Sequence, residues 1–190
     1  SLRVNYSIVP SMIDAPWLYL YDGKLKGLGI DLVAEQQIQS LSEAGLECHQ
    51  VSRGRLALSD TKQSTWSFPP TKMLSWLPSQ DYYAANKRFF SLLGQCYLRT
   101  RRYRGVIAWS KTALRAFELA ALQDIPRILN VGNFHCDHEC GGRQASDRWP
   151  RIGKERLRRE YELATRILVA SDYAAHTFVS QGIPAGKVSV

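Results

Sequence analysis

The sequence predicts an α/β fold, a Rossmann-like, doubly wound parallel sheet with three layers (α/β/α). Three segments with the order strand, helix, strand carry this prediction: residues 1–52, 105–133 and 166–190. In each segment, short runs rich in β-branched residues alternate with longer runs whose apolar residues recur every three or four positions. Strands joined through a helix are usually parallel, with a right-handed crossover. We therefore expect about six or seven parallel strands with helices on both faces.

The first segment predicts a complete βαβ unit. Residues 2–9 read as a strand that Pro10 ends, and residues 14–29 read as a loop with three glycines and several aromatics. A helix follows and ends at Gly45, and residues 46–52 form the next strand. The predicted inner stripe of this helix is Ile30, Val33, Ala34, Ile38 and Leu41.

The middle of the chain has an aromatic-rich segment followed by a segment rich in Lys and Arg. Residues 53–83, broken by prolines, predict a long surface excursion. Residues 86–104 contain six Lys or Arg and no acid, and their apolar spacing predicts an amphipathic helix with basic ends. Such a helix either covers the sheet with a solvated basic edge or makes peripheral contact with an anionic membrane. No nucleic-acid-binding module is recognisable, so we expect no nucleic-acid partner.

The second half alternates strands and helices more clearly. Strands are predicted at residues 105–110 and 127–133, with a helix at 111–124 between them and a charged helix at 151–165. Glu155 and Arg159 in the charged helix are spaced as an i,i+4 ion pair.

The final 25 residues predict a strand, a capped helix, a turn and another strand. Ser171 and Asp172 are good N-caps, because a short side-chain oxygen accepts from an unpaired backbone N–H. Gly182 stands where a left-handed C-terminal cap falls, and Pro184 prevents the helix from continuing. Residues 187–190 then begin a strand.

This final stretch resembles the end of the N-terminal domain of GT-B glycosyltransferases, in particular the retaining family 4 (group 1) enzymes. Residues 105–190 match that domain well and residues 1–52 match it loosely. The chain departs from the family pattern at Thr165, where Asp is usual, and it lacks the Asn-Gly turn that follows in those enzymes. The matching residues are Ala164, Ser171, Tyr173, Gly182, Ile183, Pro184, Lys187 and Val188.

The resemblance implies that residues 1–190 form the N-terminal, acceptor-side domain of a glycosyltransferase, one half of a GT-B fold. The C-terminal domain, absent from this chain, would then hold most of the nucleotide-sugar donor. The implied reaction moves a hexose to an acceptor hydroxyl of a sugar or a lipid-linked molecule, with retention, and needs no cofactor. The fragment alone is expected to be inactive. An alternative is a stand-alone α/β protein that binds a phosphorylated small molecule.

Candidate site residues follow from the same argument. Gly27, Leu28 and Gly29 precede a helix, where backbone N–H groups can approach an anionic ligand closely. The resemblance implies a catalytic role near the donor sugar for His135, which follows a predicted strand. Other candidates for the cleft are the two N-cap residues Ser171 and Asp172, and Glu160 in the charged helix.

A metal site is the competing interpretation of the loop around His135. His135, Cys136, His138 and Cys140 are all competent zinc ligands. Their spacing is too short for paired zinc knuckles, and neighbours such as His135 and Cys136 should point to opposite sides of an extended segment. The resemblance also implies no metal.

Composition agrees with a globular domain that meets anionic partners. The chain has 45% hydrophobic and 22% charged residues, and its formal charge is +8. No apolar run approaches the length of about 20 residues that spans a bilayer. Four cysteines in 190 residues do not form a disulfide framework. We expect a cytoplasmic protein, peripheral to the inner face of the membrane if residues 86–104 bind lipid.

Overall fold

The computed structural model describes residues 15–23, 29–53, 78–140, 143–144 and 153–190. Six of the strands in this part form one parallel sheet in the order β2-β1-β3-β4-β7-β8, and β5 and β6 form a small antiparallel pair. The strands are β1 (Trp17–Leu20), β2 (Cys48–Val51), β3 (Gly105–Trp109), β4 (Arg127–Val131), β5 (Glu139–Cys140), β6 (Arg143–Gln144), β7 (Arg166–Val169) and β8 (Val188–Ser189).

Helices cover both faces of this sheet. They are α1 (Ile30–Glu43), α2 (Ser79–Thr100), α3 (Leu114–Leu122), α4 (Lys154–Leu163) and α5 (Asp172–Ser180), with a short 3₁₀ turn at Ala185–Lys187. Residues of α1 pack on Tyr19, Tyr21 and Ile107 on one face. Residues of α2, α3, α4 and α5 belong to a larger core on the other face. The prediction of a doubly wound, three-layer α/β fold is confirmed.

The order in which successive strands join the sheet changes direction next to β1. The chain moves from β1 to β2 on one side, and β3 then returns to the opposite side of β1. Right-handed crossovers made in opposite directions place their helices on opposite faces, which explains why α1 is separated from the other helices. The topological switch point of the sheet therefore lies between the neighbouring strands β1 and β3.

The first described strand lies inside a segment that was predicted to be a loop. β1 is Trp17–Leu20, within residues 14–29, whereas the predicted strand at residues 2–9 lies outside the described residues. A central parallel strand is covered on both faces, so it reads as a continuous apolar run without alternation. The run WLYL fits that pattern, but its aromatic residues and the flanking prolines and glycines suggested a loop.

Two helix predictions also need correction. α2 begins at Ser79, inside the predicted excursion 53–83, of which residues 54–77 lie outside the described residues. In α1, Ala34 and Ile38 are buried as predicted, but Ile30 and Val33 are 46% and 45% exposed. The apolar stripe of α1 is therefore buried in the middle of the helix and not in its first turn.

The end of the chain follows its capping signals. The Ser171 side chain accepts a hydrogen bond from the Ala174 backbone N–H at 3.2 Å, so the predicted N-cap of α5 is confirmed. Gly182 has φ 89°, the left-handed conformation expected of a C-terminal cap. In α4, the predicted ion pair between Glu155 and Arg159 is replaced by a pair between Arg159 and Glu162 at 2.9 Å.

Close packing between α2, β1 and α3 depends on Gly94. A Cβ atom at this position would lie 2.4 Å from Leu20 Cδ1 and 3.0 Å from Ala116 Cβ. Gly94→Val is expected to lower the free energy of unfolding by about 1–3 kcal/mol, because the added methyls overpack a closed core. Urea unfolding measures the change. Gly186→Val, where no atom lies within 4 Å of the added Cβ, should change stability by less than about 0.5 kcal/mol. Equal losses in the two variants would contradict the packing argument.

Candidate functional site at the carboxyl edge of the sheet

An open hollow of about 230 Å³ lies at the switch point between β1 and β3. Ligands in open α/β sheets bind outside the carboxyl ends of the strands at such a point. The hollow is lined by Tyr21–Gly23 after β1, Arg53 after β2 and Trp109–Lys111 at the end of β3. The first turn of α1, the first half of α2 and the residues after β4 complete the lining. The hollow is therefore built by the part of the fold that most often carries ligand sites.

A buried ion pair forms the floor of the hollow. The Lys87 ammonium donates to the Asp22 carboxylate, whose other oxygen accepts from the Asn86 amide at 3.2 Å. Asp22 and Lys87 are only 5% and 7% exposed. The Arg53 guanidinium donates to the Asp22 backbone carbonyl. Buried charges need such partners, because burial removes most of their hydration.

Two lysines share one aromatic ring at the wall of the hollow. The Lys87 Nζ atom lies 4.9 Å and the Lys111 Nζ atom 5.8 Å from the centroid of the Tyr83 ring. Ammonium groups are attracted to the face of an aromatic ring at such distances. Tyr83 thus lies beside both cations.

Lys111 has an unusual backbone conformation, with φ 78°. Its backbone N–H donates to Glu160 Oε2 at 2.6 Å, and its carbonyl accepts from Arg156 at 3.0 Å. Glu160 Oε1 also accepts from the Leu114 N–H at 3.1 Å, at the start of α3. The turn after β3 is therefore held from below by two residues of α4.

This arrangement corrects the prediction that Glu160 could face the cleft. Glu160 is 0% exposed, and burial raises the pKa of its carboxyl. The nearby Arg156 guanidinium, 3.6 Å away, and the two backbone N–H groups act in the opposite direction. Glu160 lies beneath the hollow and caps the backbone of its wall.

A polar network on the α1 face supports the opposite wall. The Trp109 indole donates to the Tyr19 hydroxyl at 2.9 Å, and that hydroxyl donates to Gln37 at 2.8 Å. Gln37 and Asn130 exchange two hydrogen bonds, at 2.8 and 3.2 Å. Burial raises the pKa of Tyr19, so this hydroxyl stays neutral. Satisfied networks of this kind fix side-chain positions.

His135 follows β4 but does not line the hollow. It is 4% exposed, and its ring packs 5.0 Å from the Tyr161 ring and 5.1 Å from the Phe178 ring. Its Nδ1 atom accepts a hydrogen bond from the Asp137 backbone N–H at 3.2 Å, and the His135 backbone N–H donates to the Thr177 hydroxyl at 3.0 Å. Burial lowers the pKa of His135, so the imidazole is neutral at pH 7.

The other predicted residues lie in different places. Gly27 and Leu28 are outside the described residues, whereas Gly29 directly precedes α1 with φ 60°. Gly29 does not line the hollow, although the next residue, Ile30, does. Ser171 and Asp172 are exposed at the carboxyl end of β7, on the same edge of the sheet.

The loop after β4 gathers three potential metal ligands. The ligand atoms of His135, Cys136 and Asp137 lie within 4.8 Å of one another, so the expectation that His135 and Cys136 point apart is wrong. Asp137 is already engaged by Arg158 through two hydrogen bonds of 2.8 and 2.9 Å, which hold the pKa of its carboxyl low. Burial raises the pKa of Cys136 to about 12, which disfavours the thiolate that binds metal. The His138 ring instead contacts the Tyr173 hydroxyl at 3.1 Å.

Sequence reasoning missed most of the residues that line the hollow. Asp22, Arg53 and Lys111 each lie two residues after the end of a strand, and that position was the available signal. Lys87 lies at the basic N-terminal end of the predicted amphipathic helix 86–104, but its ammonium group points inward to Asp22. Membrane contact through residues 86–104 stays a prediction. None of the helices in the described residues combines the length and the apolar character that crossing a bilayer requires.

Solved structures share the fold of this chain at low sequence identity. A structure of MnaA from S. aureus with UDP is 12% identical with a TM-score of 0.57, and the match covers 93% of this chain and 43% of that one. UDP-GlcNAc 2-epimerase from Neisseria meningitidis, bound to UDP-GlcNAc, is 15% identical with a TM-score of 0.56 and coverages of 92% and 45%. Apo UGT2 from Phytolacca americana is 10% identical with a TM-score of 0.53 and coverages of 85% and 47%.

These neighbours define the class of fold. They share the GT-B fold, so this chain has the fold of one half of a GT-B protein. The chain spans less than half the length of each of these three neighbours. Neither a protein-family model nor a curated protein matches the sequence.

Proposed function

We propose that this chain is the N-terminal, acceptor-side half of a GT-B glycosyltransferase that moves a hexose from a nucleotide-sugar to an acceptor hydroxyl. The observation that carries the proposal is the hollow at the carboxyl edge of the sheet, between β1 and β3. The neighbours that share the fold include an epimerase bound to UDP-GlcNAc, which supports a role with nucleotide-sugars. In this proposal the nucleotide is held mainly by a second domain.

The residues of this half would position the acceptor and exclude water. A retaining reaction, as the resemblance implies, lets the leaving diphosphate take the proton of the acceptor hydroxyl. His135 is buried, and its Nδ1 atom is used by the Asp137 N–H. We therefore propose that His135 is a positioning residue, which fixes the loop after β4 beside the cleft. Ser171 and Asp172 would border the same cleft from the carboxyl end of β7.

The proposal is tested by titrating the 190-residue chain with UDP and UDP-GlcNAc in a calorimeter. We expect a dissociation constant of about 1 mM or weaker, because in this proposal residues 1–190 form the acceptor-side half and a second domain holds most of the nucleotide. The alternative, a stand-alone binding protein for a phosphorylated small molecule such as a nucleotide, predicts tight binding. A dissociation constant near 1 μM, about 4 kcal/mol stronger, would contradict the acceptor-half proposal.

A further inference from the structure

Lys111 occupies a conformation that glycine would adopt at less cost. Its φ of 78° lies in the left-handed region, where the Cβ atom of an L-residue is crowded. Among the described residues, Asp124 is the other non-glycine residue with positive φ, at 52°. Aspartate visits this region more readily, since its short side chain bonds to the nearby backbone, whereas lysine has no such help. A strained lysine at the wall of a hollow indicates that its side chain is used there.

The surrounding structure fixes the direction of that side chain. Glu160 accepts from the Lys111 N–H, and Arg156 donates to the Lys111 carbonyl. The backbone of Lys111 is therefore bonded to α4 on one side. Its side chain extends the other way and lines the hollow. Its ammonium shares the Tyr83 ring with Lys87, and Arg53 lines the same space.

The charge of the hollow favours an anion. Among the described residues, its lining includes the cations Arg53, Lys87 and Lys111 and two carboxylates, for a formal charge of +1. Both carboxylates have partners, since Asp22 binds Lys87 and Asn86 while Asp31 accepts from the Tyr21 hydroxyl. The net positive charge of the described lining therefore favours an oxyanion over a cation.

We propose that the hollow is a phosphate-binding subsite in which Lys111 is the principal cation. The subsite would take the phosphoryl group of a phosphorylated acceptor. A volume of about 230 Å³ is below the roughly 300–1,000 Å³ of sites that enclose a whole drug-sized ligand, so a sugar phosphate fits better than a nucleotide-sugar. Identifying the phosphoryl group as the acceptor's rests on the proposed function, whereas the phosphate site itself does not.

The test compares variants that separate strain from charge. Lys111→Gly removes the ammonium and relieves the backbone, so the chain should fold at least as well as the parent. Lys111→Asn is a second variant, since asparagine tolerates the left-handed region. Asp124→Gly is the matched control, because it relieves a left-handed residue on the exposed turn after α3. Each protein is titrated with inorganic phosphate at constant ionic strength while the amide resonances of Gly23, Gly132 and Asn133 are followed.

We expect saturable shifts in the parent and in Asp124→Gly, and affinity about tenfold weaker in both Lys111 variants, from the loss of one charge-assisted hydrogen bond. Equal phosphate affinity in all four proteins, or no saturable shift at these amides, would overturn the proposal. Glucose 6-phosphate, glucose and UDP then identify the source of the phosphoryl group. Lys111-dependent binding of the sugar phosphate, stronger than that of UDP, supports an acceptor subsite, and the reverse order overturns that assignment. Tight UDP binding together with a Lys111-dependent phosphate site would reject the proposed function and retain the site.

Discussion

Replacing Glu160 by alanine is expected to lower the free energy of unfolding by about 3–5 kcal/mol. The substitution leaves the backbone N–H groups of Lys111 and Leu114 without their acceptor and the Arg156 guanidinium, a half-buried group, without its counter-ion. The two backbone N–H groups then lose an acceptor at a desolvation cost, and Arg156 keeps its hydrogen bond to the Lys111 carbonyl but loses its counter-ion. Chemical denaturation of the parent and the variant measures the difference.

A neighbouring glutamate is the matched control for this variant. Glu162 lies on the same helix, is 61% exposed, and pairs with Arg159 at the surface. Glu162→Ala should change stability by less than about 1 kcal/mol, because exposed ion pairs contribute little. If Glu160→Ala were as mild as Glu162→Ala, Glu160 would not be the residue that holds the turn after β3.

Asp22→Ala is expected to destabilise the protein by about 3–5 kcal/mol through a different mechanism. Lys87 would keep a positive charge at 7% exposure with its carboxylate partner removed. The chain must then deprotonate the lysine or open the floor of the hollow to water, and both outcomes cost free energy. Thermal and urea unfolding of the variant measure the loss.

A double substitution separates the ion pair from the packing around it. Asp22→Ala combined with Lys87→Met removes both charges and keeps an apolar side chain of similar length, so much of the lost stability should return. Glu118→Ala, which removes a surface partner of Arg115, is the mild control. If the double variant were as unstable as the sum of its two single variants, the charges would not be coupled and the description of the floor would be wrong.

The fold was predictable because its signals are local. Apart from the short β5–β6 pair, which the sequence did not predict, the described strands and helices between Gly105 and Ser180 follow hydrophobic periodicity and capping residues. Ser171 caps α5, and Gly182 adopts the left-handed conformation, as their sequence positions predict. The predictions failed where tertiary context decides. The β1 run WLYL shows no alternation because both of its faces are covered, and Ile30 in α1 is apolar yet sits at the exposed end of its helix.

The candidate site was less predictable than the fold. Position after a strand could have marked Asp22, Arg53 and Lys111, but their convergence depends on a strand order that sequence alone does not give. Burial cannot be read from residue type either. Glu160 and Lys87 look like solvated helix charges, yet each is buried and bonded to a partner more than 45 residues away in the sequence.

We propose that the carboxyl edge of this sheet is one wall of a sugar-transfer cleft. Mapping the amide shifts of the 190-residue chain during addition of UDP-GlcNAc and of glucose 6-phosphate tests it most directly. The account predicts weak binding, with shifts at the residues after β1, β3, β4 and β7, including Gly23, Ser110, Gly132 and Ser171. Shifts concentrated at the opposite edge, around Glu47 and Ile125 before β2 and β4, would contradict it.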